Sequence, residues 1–285
     1  MKTTITLNNG VEMPLVGYGV FQVDPAECER CVSDALAVGY RSIDTAQAYF
    51  NEEGVGRAWR KSGIPREQLF LTTKVWVSNA GEKKAAESID LSLRKLQTDY
   101  VDLLLIHQAY NDYYGTYRAM EAALQAGKVR AIGVSNFYND RFLDLAEHVE
   151  VKPAVNQIEV SALAQQWQMQ ELAARYGTKL MAWGPLAEAS AAFFENETLR
   201  SIAAAHGKTV AQVGLRFLTQ RGIVVIPKTV RKARMEENFD CLGFDITPAE
   251  MEALRALDLG HGLVVNFADP QAVLALFDII RQYRV

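Results

Sequence analysis

Short β-branched runs alternate along the chain with longer stretches whose apolar residues recur every three or four positions, the mark of strands alternating with amphipathic helices. Val16–Gly19 predicts a short first strand. The next helix opens at Asp24-Pro25-Ala26-Glu27, with a capping aspartate, a proline at the first helical position and a glutamate placed to close a capping box. Gly39 ends it, and Tyr40–Asp44 reads as the second strand. The pattern then repeats: strand Leu69–Val75 and helix Glu82–Leu96; strand Val101–Ile106 and helix Tyr114–Gln125; strand Val129–Val134 and a helix near Asp140–His148. In the second half come strand Ala154–Ile158, helix Gln166–Tyr176, strand Lys179–Trp183, helix Thr209–Gln220, strand Ile223–Ile226 and helix Arg231–Asp240.

Near-continuous apolar strands such as Val101–Ile106 are covered on both faces, which means a parallel sheet wrapped by helices. Eight such units without a linker favour closure into an α/β fold of the (β/α)8 TIM-barrel type, with an open doubly wound sheet as the alternative. Residues 1–285 read as one domain, because no composition shift breaks the alternation. Outside the repeat, Thr3 to Met13 predicts a β-hairpin turning at Asn8-Asn9-Gly10 and plugging one end of the barrel. Extra C-terminal helices begin at Thr247-Pro248-Ala249-Glu250 and at Asp269-Pro270.

Composition narrows the function. A net charge of −4, from 30 Lys+Arg against 34 Asp+Glu, disfavours nucleic-acid binding through a broad basic surface. There is no long apolar run to span a membrane, and the N-terminus lacks the apolar core of a secretory signal. Three cysteines make no disulfide framework, which points to the cytoplasm. Cys28 and Cys31 form a C-x-x-C, but no second ligand pair accompanies them and they fall inside a predicted helix, so a structural role is expected and no metal site.

In such a barrel, chemistry sits where strands end. The polar residues there are Asp44 with Tyr49 in the following loop, Lys74, His107, Ser135-Asn136, Asn156-Gln157 with Glu159, Trp183, and Lys228-Thr229. Taken singly, each has an ordinary explanation: a capping aspartate, a snorkelling lysine, a satisfied core histidine. Convergence of four of them on one face is much less readily accidental.

The segment from Arg41 to Ala58, with Asp44-Thr45-Ala46-Gln47-Ala48-Tyr49 at its centre, resembles a signature of the aldo-keto reductases. So do Leu104-Leu105-Ile106-His107, Ile132-Gly133-Val134-Ser135-Asn136-Phe137, Asn156-Gln157-Ile158-Glu159, and Ile226-Pro227-Lys228-Thr229-Val230 with Arg234, Glu237 and Asn238. The resemblance runs along essentially the whole chain, nearest to small bacterial members of the 2,5-diketo-gluconate reductase-like group. It implies a (β/α)8 barrel that reduces aldehydes or ketones with NADPH, and a monomer. It also implies a catalytic tetrad of Asp44, Tyr49, Lys74 and His107. A phenol is protonated at neutral pH and can donate to a carbonyl oxygen, while a nearby ammonium lowers its pKa. In this scheme Asp44 holds the ammonium and His107 aims the carbonyl.

The same resemblance implies that Ser135, Asn136 and Gln157 hold the nicotinamide carboxamide, with Trp183 stacking on its ring and Gly184-Pro185-Leu186 following. Asp44 belongs to this cofactor set as well. Lys228, Thr229, Arg234, Glu237 and Asn238 would hold the adenosine end, where basic groups favour NADPH over NADH. The substrate pocket would comprise Phe21, Trp76, His107, Gln108 and Tyr110. Here the chain departs from many relatives, which carry tryptophan in place of Phe21 and an aromatic residue followed by proline in place of Gln108-Ala109. The loops after His107 and Trp183 read as short, and nothing in the tail from Leu259 onward assigns His261, Asn266 or Phe267. Gly54 and Gly56 are not a dinucleotide fingerprint, because position 59 is Trp and no strand directly precedes them; close helix packing is their expected use.

Overall fold

The structure is a computed structural model that describes residues 3–267 and 269–283. A hairpin of β1 (Thr4–Thr6) and β2 (Glu12–Pro14) comes first, paired antiparallel with Ile5 opposite Met13. Eight parallel strands follow in chain order: β3 (Tyr18–Gly19), β4 (Ser42–Asp44), β5 (Phe70–Val75), β6 (Val101–Ile106), β7 (Val129–Ser135), β8 (Val155–Glu159), β9 (Lys179–Trp183) and β10 (Val224–Val225). The sheet closes on itself. The Val225 amide donates to the Leu15 carbonyl at 2.9 Å and the Gly17 amide to the Val225 carbonyl at 2.8 Å, bridging Val16 to Val225. Closure selects the barrel over the open sheet.

The expected helices form, with small shifts at their ends: α1 (Pro25–Val38), α3 (Glu82–Leu96), α4 (Tyr113–Gln125), α5 (Asn139–His148), α6 (Trp167–Ala174), α9 (Val210–Gln220), α10 (Lys232–Phe239), α11 (Pro248–Arg255) and α12 (Pro270–Gln282). Asp24 caps α1 by accepting from the Ala26 amide, but no box forms there; Glu27 pairs with Arg30 instead. Genuine capping boxes stand at Thr209–Gln212 and Thr247–Glu250.

Three helices were not expected as such: α2 (Glu52–Lys61), α7 (Ala191–Phe194) and α8 (Glu197–His206). The connection after Trp183 is therefore not short. It runs over residues 184–209 and begins with consecutive left-handed residues Ala187, Glu188 and Ala189, a turn that alanine does not advertise in a sequence. The glycines of α2 do serve close packing. A Cβ on Gly54 would lie 2.8 Å from that of Cys28, and one on Gly56 would lie 2.5 Å from the Lys95 carbonyl oxygen. Cys28 and Cys31 are free and buried on α1, and burial pushes the Cys28 thiol up to about 12, which makes it a packing group.

The two ends of the barrel are filled differently. At the N-terminal end, Ile5, Leu7, Met13 and Leu15 of the hairpin region pack onto Phe70, Leu103, Leu105, Met181 and Val224. The hairpin is the plug that its sequence predicts. The C-terminal end carries polar groups and is overlain by α12, which has no buried residue of its own. It rests there through Phe277 on Tyr110, with ring centroids 4.6 Å apart, and through Ile280 on Ala48, Trp76 and Val77. Among the described residues no helix is long and apolar enough to cross a membrane.

Candidate active site

Three consecutive strands set the centre. β4 ends on Asp44, β5 carries Lys74 one residue before its end, and His107 follows β6. A single turn of 3-10 helix at Gln47–Tyr49 folds the next loop back so that Tyr49 meets them. Lys74 Nζ donates to Asp44 Oδ1 at 2.6 Å, to the Thr45 carbonyl at 2.9 Å and to the Tyr49 hydroxyl at 3.3 Å. Both members of the ion pair are buried, so each depends on the other; a buried charge without its partner costs several kcal/mol. The remaining oxygen of Asp44 accepts from Gln157 Nε2 at 2.8 Å.

Asp44's burial raises its carboxyl, opposed by Lys74 and the Gln157 amide. For Lys74, burial pulls the pKa down, but Asp44 and Tyr49 outweigh it and hold the ammonium above its ordinary value. Tyr49 departs from expectation. Burial raises its phenol, and the adjacent ammonium offsets that rise without reversing it, because desolvating a phenolate is the larger effect. Burial, then Lys74, push His107 well below the ordinary histidine value, so the ring is neutral. His107 Nδ1 is buried without a hydrogen-bond partner. An orphaned lone pair costs less than an orphaned N–H, which leaves Nε2 as the protonated nitrogen.

The rings of Tyr49 and His107 meet edge to face at 5.5 Å, Trp76 meets His107 at 4.9 Å and Phe21 meets Tyr49 at 5.0 Å. On the other side, Asn136 adopts a positive φ of 61° and donates to the His107 carbonyl at 3.1 Å. Its amide oxygen accepts from Trp183 Nε1 at 3.0 Å, while Ser135 Oγ donates to the Gln157 carbonyl at 2.9 Å. These residues line one cavity of about 1040 Å³ that extends past Gly184, Pro185 and Leu186 to Lys228, Thr229, Arg234, Glu237 and Asn238.

At that outer end Lys228 and Arg234 are exposed cations with no ion pair among the described residues, beside the N-terminus of α10. Such an end suits a phosphate. Thr229 Oγ1 accepts from the Arg231 amide at 3.2 Å, which holds it at the rim. A dinucleotide phosphate fits this donor set: cations and a helix end outside, a stacking indole and amide groups inside.

Of the expected substrate-side residues, Phe21, Trp76, His107 and Gln108 line the cavity, and Gln108 Oε1 is buried without a partner. Tyr110 lies outside the lining, drawn onto Phe277 of α12. The tail supplies wall residues that the sequence did not assign: Val264, Val265, Phe267, Leu276, Ile279 and Tyr283. His261 is not among them.

A model of the Aldo/keto reductase family matches residues 15–259. The chain is 43% identical over 260 residues to the glyoxal reductase of Bacillus subtilis, covering 90% of this chain and 94% of that protein. The crystal structure of an aldo/keto reductase from Brucella melitensis superposes with a TM-score of 0.86 at 42% identity, covering 90% of this chain and 99% of that one. A Bombyx mori aldo-keto reductase solved in complex with NADP has a TM-score of 0.88 at 31% identity, with 94% and 96% covered.

Proposed function

This chain belongs to the aldo/keto reductase family of oxidoreductases, and we propose that it reduces small aldehydes and 2-oxoaldehydes to alcohols with NADPH, Tyr49 being the proton donor. The carrying observation is the Lys74 ammonium, which touches Asp44, the Thr45 carbonyl and the Tyr49 hydroxyl at once. NADPH, when bound, supplies the hydride that the carbonyl carbon accepts. Negative charge then develops on the carbonyl oxygen, and Tyr49 gives it a proton from its buried hydroxyl. Lys74 stabilises the phenolate left behind, and Asp44 keeps the ammonium in place. Neutral His107 orients the carbonyl by donating from Nε2. The phenolate regains a proton from water, completing one two-electron reduction.

Trp183, Asn136, Ser135 and Gln157 would hold the nicotinamide end and Lys228, Thr229 and Arg234 the adenosine phosphate end, with Glu237 and Asn238 beside them. The NADP complex of the silkworm relative supports the cofactor, and the name of the Bacillus relative supports a dicarbonyl substrate. Three buried free cysteines suit a reducing cytoplasm, and every group invoked comes from one chain, so a monomer suffices. The test is NADPH oxidation at 340 nm by the purified protein against glyoxal, methylglyoxal and aromatic aldehydes. Turnover with the small dicarbonyls is expected; tight NADPH binding without oxidation of any member would replace the enzyme with a cofactor-binding protein.

A further inference from the structure

We propose that Glu159 is a positioning residue that builds the substrate wall of the cavity by gripping the backbone of residues 262–265. The proposal rests on the reductase reading of that cavity. Glu159 ends β8, is only 2% exposed, and finds its hydrogen-bond donors in the backbone a hundred residues downstream rather than in a lysine or arginine. Its Oε1 accepts from the Leu263 amide at 2.6 Å and its Oε2 from the Val264 amide at 3.2 Å. Burial raises this carboxyl and nearby Glu188 adds to the rise, while the amides of Leu263, Val264 and Val265 pull it back down. Successive amides turned onto one carboxylate form an anion nest, here occupied by the protein's own side chain.

Apolar burial cannot be what holds this segment. None of residues 261–267 is buried, and Val264 is 51% exposed, yet Val264, Val265 and Phe267 form cavity wall. A stretch without buried side chains is ordered chiefly by the hydrogen bonds and ring contacts it makes to the barrel. Glu159 supplies a second tie through its own amide, which donates to the Tyr138 hydroxyl at 3.3 Å; the Tyr138 ring in turn stacks on Phe267 with centroids 4.8 Å apart. Gly262 fits the same purpose, since a Cβ there would lie 2.8 Å from both Glu159 Oε2 and the Val265 carbonyl oxygen. A bulky carbonyl compound needs this wall to be held over Tyr49, whereas a two-carbon dicarbonyl is held by the groups around Tyr49 and His107 alone.

The experiment compares Glu159→Gln with wild type in three measurements: KM for 4-nitrobenzaldehyde and for glyoxal, NADPH affinity by fluorescence, and hydrogen exchange of the 262–267 amides. Losing charge-assisted bonds predicts about tenfold higher KM for the aromatic aldehyde and about tenfold faster exchange at Leu263 and Val264. KM for glyoxal and NADPH affinity should stay within about twofold. Equal changes in both KM values, or unchanged exchange, would overturn the proposal. Should Glu159→Gln fail to fold, Gly262→Ala loosens the grip from its other side and should show the same split. If wild type turns over neither aldehyde, the reductase reading fails, and the exchange measurement alone then decides whether Glu159 holds the segment.

Discussion

Two aspartates are buried among the described residues, one at each end of the barrel, and they are held in different ways. Asp102, at the start of β6, accepts from Arg66 Nη2 at 2.7 Å, Arg130 Nη1 at 2.7 Å and the Leu71 amide at 2.9 Å. The rest of Arg66 donates to the Leu69 and Tyr100 carbonyls and to the Thr98 hydroxyl, none of them in the cavity, and Arg130 reaches the surface. Asp44 shares its single cation, Lys74, with the Thr45 carbonyl and the Tyr49 hydroxyl, all deep at the opposite end. The first arrangement spends its charge on locking strand β6 to β5. The second leaves part of an ammonium aimed at a titratable hydroxyl inside a cavity. A buried ion pair is therefore not itself a mark of catalysis; what matters is whether one partner has a donor directed at a third group that can exchange a proton.

The sharpest way to break this contrast is to remove the cation at each end. Lys74→Met should lower kcat by about 10²–10⁴-fold, the range for losing acid–base assistance. It should also destabilise the fold by about 3–5 kcal/mol by leaving Asp44 buried and unpaired, as read from urea unfolding. Arg66→Met is expected to cost a smaller amount, about 2–3 kcal/mol, because Arg130 still pairs with Asp102, and to leave kcat unchanged. A large kcat loss in the second variant would erase the distinction between the two ends. At the outer rim, Arg234→Ala should weaken NADPH about tenfold with NADH affected less than twofold, by fluorescence titration; equal weakening would remove the assigned phosphate contact.

The smallest effect is one of pH. Burial keeps Tyr49 above the ordinary phenol value, so its proton is present through neutral and mildly alkaline conditions and is lost only as pH rises through that elevated value. His107, pushed the other way, stays neutral and contributes no titration near pH 6.5. The profile of kcat/KM for aldehyde reduction should be flat from about pH 6 to 9 and fall beyond about 10. An inflection near 6.5 that vanishes in His107→Gln would show a charged histidine instead.

Part of this was legible in the sequence because barrel strands end in polar residues: Lys74 and His107 announce themselves after β-branched or aliphatic runs, while Asp44 and Gln157 stand at the ends of shorter, more mixed strands. Tyr49 is less plain, since it sits in a loop after its strand; its place among the strand-end polar residues is visible, but its role comes only from the resemblance of its flanking residues. Helix α2 went unassigned because Gly54 and Gly56, which let it approach Cys28 and Lys95, lower helix propensity in the middle of its buried face. The left-handed turn at Ala187–Ala189 is set by tertiary structure against local preference. Glu159 stood in the list of strand-end polar residues, but its partners lie at 263 and 264, a pairing that no local pattern encodes. The displacement of Tyr110 from the pocket has the same origin, because α12 covers it from far along the chain.

The central claim is that Tyr49 hands its proton to the substrate oxygen, and single-turnover stopped flow on Tyr49→Phe with bound NADPH and glyoxal measures that step alone. The phenyl ring keeps the shape of the site and loses only the donor. The account predicts hydride transfer slowed by about 10²–10⁴-fold with NADPH affinity unchanged. Hydride transfer at the wild-type rate would contradict it.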